Sequence, residues 1–211
     1  MREENPHPIL DSLIIKPENE EILALLQAHD MTSYTHSVSV ASISEVLFPY
    51  FEFKGITDPT DIIEGALLHD VGKLFVPEKI LNKDAKLTPL EYSIVKEHPR
   101  CGGMLLYDRS EIIRNIVHFH HERLDGSGYP YGLRSDQIPD YCRCITMIDI
   151  LDALLSPRAY KPAMPLCDIY DEIFRMYNGK NLDMYYFTKM FEYLNLKEYL
   201  DHIRKGEEEA C

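Results

Sequence analysis

The sequence predicts an all-α fold, and three observations carry that expectation. Apolar residues recur at steps of three and four along most of the chain, the spacing of one helical face. Capping residues and first-turn prolines stand where several of those runs begin. No stretch alternates apolar and polar residues as a half-buried strand would. The 211 residues suit one domain of ordinary size with a substantial core. Residues 1–18, with Pro6, Pro8 and Pro17, read as an extended lead-in, residues 19–204 as the helical domain, and residues 205–211 as a charged, frayed tail.

The first helix is expected over Glu20 to His29. From Met31 the second places His36, Val40, Ile43, Leu47 and Tyr50 on one face, so His36 points where core residues point. Asp58-Pro59 reads as a cap followed by proline at the first helical position, with Ile62, Ile63, Ala66 and Leu67 as the buried stripe behind it. That helix delivers His69 and Asp70 near its C-terminal end, where Gly72 is expected to stop it. Leu74 to Lys86 has no clear period and reads as a connecting loop with one short helical turn at most. Thr88-Pro89-Leu90-Glu91 is a capping box opening a helix that carries Ile94, Val95 and His98, with Pro99 expected to kink or end it.

Ser110-Glu111 opens the next helix, whose stripe is Ile113, Ile116, Val117 and His120. His121 lies about 100° round from His120, and both can reach a metal held between their directions near the helix end. His118 is roughly 200° from His120 and stays outside the candidate set. Asp125 to Pro139, with three glycines and two prolines, is a loop of defined shape in which Gly126 and Gly128 allow backbone conformations closed to other residues. A helix over about Asp140 to Leu155 carries Ile145, Ile148, Asp149 and Asp152 along one side. A carboxylate at 149 among apolar neighbours needs a partner, either a metal or a salt bridge. Two amphipathic segments follow, one with Ile169, Ile173, Phe174 and Tyr177 and one with Phe187, Met190, Phe191 and Leu194.

Charge and cysteine usage narrow the function. With 22 Lys+Arg against 35 Asp+Glu the formal charge is -13, which disfavours nonspecific contact with polymeric nucleic acid or an anionic membrane. A small anionic substrate would then need local help from metals and a few basic side chains. Five cysteines without a CxxC pair or disulfide pattern suit a reducing, cytoplasmic compartment. Met1 to Pro6 is acidic and polar where a secretory signal would be basic and then apolar, and no stretch approaches the roughly 20 apolar residues of a membrane span.

The candidate ligands are His36, His69, Asp70, His98, His120, His121 and Asp149. Any one of these histidines alone is as well explained by packing or a solvated helix end; the set is what points to metal. Imidazole and carboxylate without thiolate suit Fe, Mn, Ni or Zn, with Fe and Mn both reasonable, and the set exceeds what one ion takes. Two divalent ions are the economical reading. Such a pair can hold a hydroxide in line with a phosphorus atom and neutralise charge on the phosphate oxygens. Lys73, three residues after Asp70, can reach a bound phosphate, while Arg158 and Lys161 form a basic pair beside Tyr160 that read alone is surface charge.

The ordered blocks HDVGK at 69–73, VPEKIL at 76–81, LTPLE at 87–91, His98, HHERLDGSGYP at 120–130, IP at 138–139, IDILDAL at 148–154 and RAYK at 158–161 resemble the HD-GYP domain, a subclass of the HD phosphohydrolase superfamily, over about Thr32 to Ala163. The resemblance implies an HD-superfamily helical bundle with a metal centre in its core. It implies hydrolysis of a small-molecule cyclic dinucleotide, cyclic di-GMP, to the linear pGpG and in some members on to GMP. Carried over by position, one metal would be held by His36, His69, Asp70 and Asp149 and the other by Asp70, His98, His120 and His121, with Asp70 as the bridge. Lys73 would contact a phosphate near the metals, and Arg158 and Lys161 match the family's basic pair on the substrate. The signature loop, with Asp125, Gly126, Gly128, Tyr129 and Pro130, would serve shape or contact with a regulatory protein partner more than chemistry.

Three positions depart from the family pattern. Thr32 stands where members with a third metal have glutamate, which favours two ions; Ile148 replaces the usual alanine before Asp149, and Ala159 the usual proline of the basic motif. Two other readings stay open. One is a superfamily phosphohydrolase acting on another cyclic dinucleotide or a nucleotide, the other a regulatory module that binds ligand or a partner domain without turnover.

Overall fold

The computed structural model describes residues 15–53, 55–56, 58–156, 166–177 and 181–205. Among these there are ten α-helices and no strand: α1 (Pro17–His29), α2 (Met31–Leu47), α3 (Thr60–Leu68), α4 (Glu78–Leu81), α5 (Pro89–Val95), α6 (His98–Leu105), α7 (Glu111–Phe119), α8 (Asp140–Leu155), α9 (Leu166–Tyr177) and α10 (Met184–Lys205). Short 3-10 turns at Phe48–Tyr50, Val71–Phe75 and Ser135–Gln137 fill corners between them. The all-α expectation holds.

Helix starts follow from local chemistry. Asp30 caps α2 by accepting from the Ser33 amide at 2.9 Å, Ser110 caps α7 through the Ile113 amide, and Thr88 with Glu91 closes the predicted capping box on α5. Such caps are each worth about 1 kcal/mol. Their apolar faces then meet. Helix α3 packs on α2 and α7, α8 on α2 and α7, and α9 and α10 on the outer side of α8. The core between them includes Leu26, Val40, Leu68, Ile116, Val117 and Met147, all fully buried. Each large side chain so buried contributes about 1.5–3 kcal/mol, so this core holds the helix ends that carry the polar site.

Several expected boundaries move. Pro17 belongs to α1 as its first helical residue rather than to the lead-in, because proline at that position gives up only an amide that has no helical partner. The same reason corrects Pro99: it does not end the helix from Thr88 but sits in the first turn of α6, after α5 has closed at Val95. Helix α3 opens one residue later than expected, with Asp58 accepting from both the amide and the hydroxyl of Thr60. Tyr50 lies in a 3-10 turn and is half exposed, since the tighter turn breaks the 3.6-residue period that would have buried it. Phe174 is likewise half exposed, beyond the face on which Ile169 and Ile173 are fully buried. The predicted side-chain position of Tyr177, residues 206–211 of the tail, and most of the lead-in lie outside the described residues.

Gly72 also differs from expectation. Helix α3 has already ended at Leu68, and Gly72 has no left-handed backbone conformation. Its hydrogen side chain instead lets the 71–75 turn lie against α6: a Cβ there would stand 1.9 Å from the His98 carbonyl oxygen and 2.6 Å from the Gly102 amide nitrogen. Gly72→Ala must push two backbones apart. We expect it to destabilise the fold by about 2–3 kcal/mol or more, a fall of roughly 5–10 °C in a thermal melt, and a melting point within a degree of wild type would refute this packing role.

Candidate metal centre

The candidate ligands converge from five places in the chain. His36 comes from the second turn of α2, His69 and Asp70 from the end of α3, His98 from the first residue of α6, His120 and His121 from the end of α7, and Asp149 from the middle of α8. Crossing of α3 and α7, and the seating of α6 on the 71–75 turn, place these ends around one point. His69, Asp70, His98 and His120 are each 1% exposed or less, which leaves no room for a solvated explanation of His98.

One nitrogen of each buried histidine is already committed to the backbone. Nδ1 of His69 donates to the Ala66 carbonyl at 2.7 Å, Nδ1 of His98 to Val95 at 2.7 Å, and Nδ1 of His120 to Val117 at 3.0 Å. Each carbonyl can only accept, so Nδ1 carries the hydrogen and Nε2 presents a lone pair. This is how ligand histidines are oriented in metal sites. His98 Nε2 and His120 Nε2 then face each other at 3.1 Å, both as acceptors. Burial keeps both rings neutral: it brings the pKa of His98 down to about 4 and pushes that of His120 well below the usual range. A cation between the two nitrogens satisfies a contact that is otherwise repulsive.

Asp70 faces two ways. Its Oδ1 lies 3.2 Å from His98 Nε2 and 4.0 Å from His120 Nε2, and its Oδ2 lies 3.4 Å from His69 Nε2 and 4.0 Å from His36 Nε2. Two groups of donor atoms result, Asp70 with His98, His120 and His121, and Asp70 with His36 and His69, each within 4.8 Å. Burial pushes the Asp70 carboxyl up, but the Lys73 ammonium and the imidazoles around it outweigh that and hold the carboxyl well below the usual carboxylate range. Even so, Asp70 Oδ1 and His69 Nε2 are buried without a hydrogen-bond partner. An unsatisfied buried polar atom costs about 1–3 kcal/mol, and here one such atom lies in each donor group. The donor set and its orphaned atoms fit divalent metal.

Asp149 adjoins these groups. Its Oδ1 lies 2.9 Å from His36 Nε2 and its Oδ2 3.9 Å from His121 Nδ1. Burial disfavours a charged His36, yet the bonds to Asp149 and Asp152 raise its pKa to about 10, so without metal this pair is an ion pair. Lys73 Nζ lies 2.6 Å from Asp70 Oδ2, at the edge of the same cluster. Arg158 and Lys161 lie outside the described residues.

Two residues with no predicted role complete the site. Asp152, one turn beyond Asp149, accepts from His36 Nδ1 at 2.6 Å and from the Ser39 hydroxyl, which turns His36 Nε2 toward the cluster. Glu122, 2% exposed and next to His121, accepts from the Tyr131 amide at 2.7 Å and the Leu133 amide at 2.9 Å. It ties the signature loop to the histidine pair. The three-residue step from Asp149 to Asp152 was a readable signal. Glu122 gave none, because its partners are backbone amides.

The loop is held by further contacts. The Tyr129 amide donates to the His121 carbonyl at 3.2 Å, Arg100 donates to the Pro130 carbonyl at 2.9 Å, and the Tyr129 ring packs on His121 with centroids 4.6 Å apart. Gly126 has φ +82° and needs glycine for conformation, as expected. Gly128 does not: its φ is ordinary, and glycine is required because a Cβ would stand 2.4 Å from the Arg123 amide nitrogen. His118, outside the donor groups, reaches the Tyr131 hydroxyl at 3.3 Å. Glu122→Ala is expected to free this loop, weakening metal affinity by about tenfold to hundredfold as outer-shell losses do, with faster proteolysis between residues 123 and 139. Wild-type metal affinity with an unchanged digestion pattern would remove Glu122 from the site.

Comparison with known proteins agrees with this architecture. A family model described as HD domain matches residues 58–184, more than half of the chain. A cyclic di-GMP phosphodiesterase of Pseudomonas aeruginosa is 40% identical over 144 residues, covering 66% of this chain and 34% of the relative. A 3'3'-cGAMP-specific phosphodiesterase of Vibrio cholerae is 44% identical over 103 residues, covering 48% of this chain and 22% of the relative. The chain thus spans about a third and about a fifth of the length of these two relatives. Among solved structures, an HDG"Y"P protein from Bdellovibrio bacteriovorus superposes with a TM-score of 0.59 at 22% identity, covering 76% of this chain and 51% of that one. Among the described residues, no helix is long and apolar enough to cross a membrane. By this match, and with the signature HHERLDGSGYP intact at 120–130, the chain belongs to the HD-domain family.

Proposed function

We propose that this chain is a cyclic-dinucleotide phosphodiesterase that hydrolyses cyclic di-GMP to pGpG, with GMP as a further product, using two divalent ions, Fe or Mn. The observation that carries the reading is Asp70, whose two oxygens turn toward two separate histidine groups while one of them has no hydrogen-bond partner. His36, His69, Asp70 and Asp149 would hold one ion, and Asp70, His98, His120 and His121 the other. The ion pair supplies, when bound, Lewis-acid activation of water and neutralisation of phosphate charge. Asp152 and the backbone carbonyls orient the imidazoles, Lys73 binds a phosphate oxygen beside Asp70, and Tyr129 forms a wall over His121. Arg158 and Lys161 are proposed as a basic pair on the substrate, and the signature loop to meet a regulatory protein. A cytoplasmic setting fits the free thiols of Cys101, Cys142 and Cys144.

The named activities of the relatives supply the substrate class, and they differ between cyclic di-GMP and 3'3'-cGAMP. The second compound is therefore a specific rival. Anaerobically purified protein loaded with Fe(II) or Mn(II) is incubated with each, and products are read by mass. Linear pGpG formed faster than the linear product of 3'3'-cGAMP supports the proposal; the reverse order changes the substrate but not the reaction. Binding without product in metal-loaded protein would make the chain a regulatory module.

A further inference from the structure

Beyond the metal groups, one basic side chain at the site carries no carboxylate partner among the described residues. Lys96 follows α5, two residues before the ligand His98, and its ammonium stands over two tyrosine rings, 5.2 Å from the centroid of Tyr129 and 5.6 Å from that of Tyr92. The neighbouring Glu97, its nearest carboxylate in sequence, pairs with Arg100 instead. The same Tyr129 ring packs on His121 at 4.6 Å and edge-on to His98 at 6.4 Å. Lys96 and the metal-facing histidines therefore share one aromatic wall. Most other cations of the described fold that lie near the core are held by carboxylates, as Lys16 and Arg109 are by Glu64 and Lys73 is by Asp70.

In a chain of formal charge -13, a cation held by ring faces keeps its donors free for an anion. Lys73 already lies at the metal cluster, so a second cation across the Tyr129 wall suits a substrate with a second phosphate. A cyclic dinucleotide has two phosphodiesters in one ring, and only one can be at the metals at a time. Resting on the proposed phosphodiesterase reading, we propose that Lys96, steered by Tyr92 and Tyr129, is a substrate-binding residue for the phosphodiester that is not being cleaved.

The test compares a substrate with two phosphates and one with a single phosphate. Lys96→Met in metal-loaded protein is assayed on cyclic di-GMP and on bis(p-nitrophenyl) phosphate, and binding of cyclic di-GMP is measured by calorimetry. The expected result is a KM and a Kd for cyclic di-GMP raised roughly tenfold, the worth of one charge-assisted contact at a partly exposed site, with kcat within about twofold. Turnover of bis(p-nitrophenyl) phosphate and metal content stay as in wild type, and Lys96→Arg recovers most of the affinity. Unchanged affinity in Lys96→Met overturns the inference and leaves the phosphodiesterase reading standing, as does an equal loss on both substrates. Wild-type protein that cleaves bis(p-nitrophenyl) phosphate but neither binds nor cleaves cyclic dinucleotides overturns the proposed function and this inference with it.

Discussion

Asp70→Ala is expected to lower turnover of the cyclic dinucleotide by at least about a thousandfold and to leave the purified protein short of metal. Lewis-acid stabilisation by a paired site is worth several kcal/mol in the transition state, and each 1.36 kcal/mol is a factor of ten. Asp70 is the one side chain common to both donor groups, so its removal takes a ligand from each. His36, His69, His98, His120 and His121 each belong to a single group, and their substitution should leave the other group intact. Asp70→Asn is the informative partner variant, because it keeps the volume and one oxygen while losing the charge that draws two cations together. We expect Asn to bind one ion and to be almost as inactive as Ala.

Folding must be separated from chemistry in that experiment. Asp70 also pairs with Lys73 at 2.6 Å, and deleting it leaves a partly buried ammonium with no other carboxylate partner among the described residues. Circular dichroism and a thermal melt of metal-free wild type and variant make the comparison. A variant that folds, retains two ions per chain and turns over within tenfold of wild type would sink the bridging role of Asp70.

How much of this was legible in the sequence depends on the range of the interaction. Local signals read well: the capping box at Thr88, the cap at Ser110, the limits of α8, and the apolar stripe that places His120 inward are all consequences of residues within one or two turns. Signals that require two segments to meet read badly. Gly72 looked like a helix stop because its true neighbour, the His98 carbonyl, lies in another helix. Pro99 looked like a break because nothing local says that α5 has already closed. Glu122 was silent for the same reason, its partners being amides nine and eleven residues away in a loop. The candidate donors were legible as a set, whereas the orientation of each imidazole depends on carbonyls and on Asp152 that only the folded backbone brings into reach.

Metal binding should also be visible as stability, without any turnover. In the metal-free protein the cluster holds two facing Nε2 lone pairs at 3.1 Å and two buried polar atoms with no partner. An ion that binds only the folded chain stabilises it by mass action, about 4 kcal/mol at a thousandfold excess over its dissociation constant. For a domain of this size that is a rise of about 8–16 °C in melting temperature. Mn(II), or Fe(II) under anaerobic conditions, should produce it, a chelator should reverse it, and Mg(II) should produce much less because it prefers oxygen ligands in octahedral array over imidazole. Asp70→Ala should lose most of the shift. If saturating Mn(II) and Fe(II) both move the melt by less than about 1 °C, the lone-pair contact between His98 and His120 has some other resolution, and the metal reading of the cluster fails even if the protein binds cyclic dinucleotides.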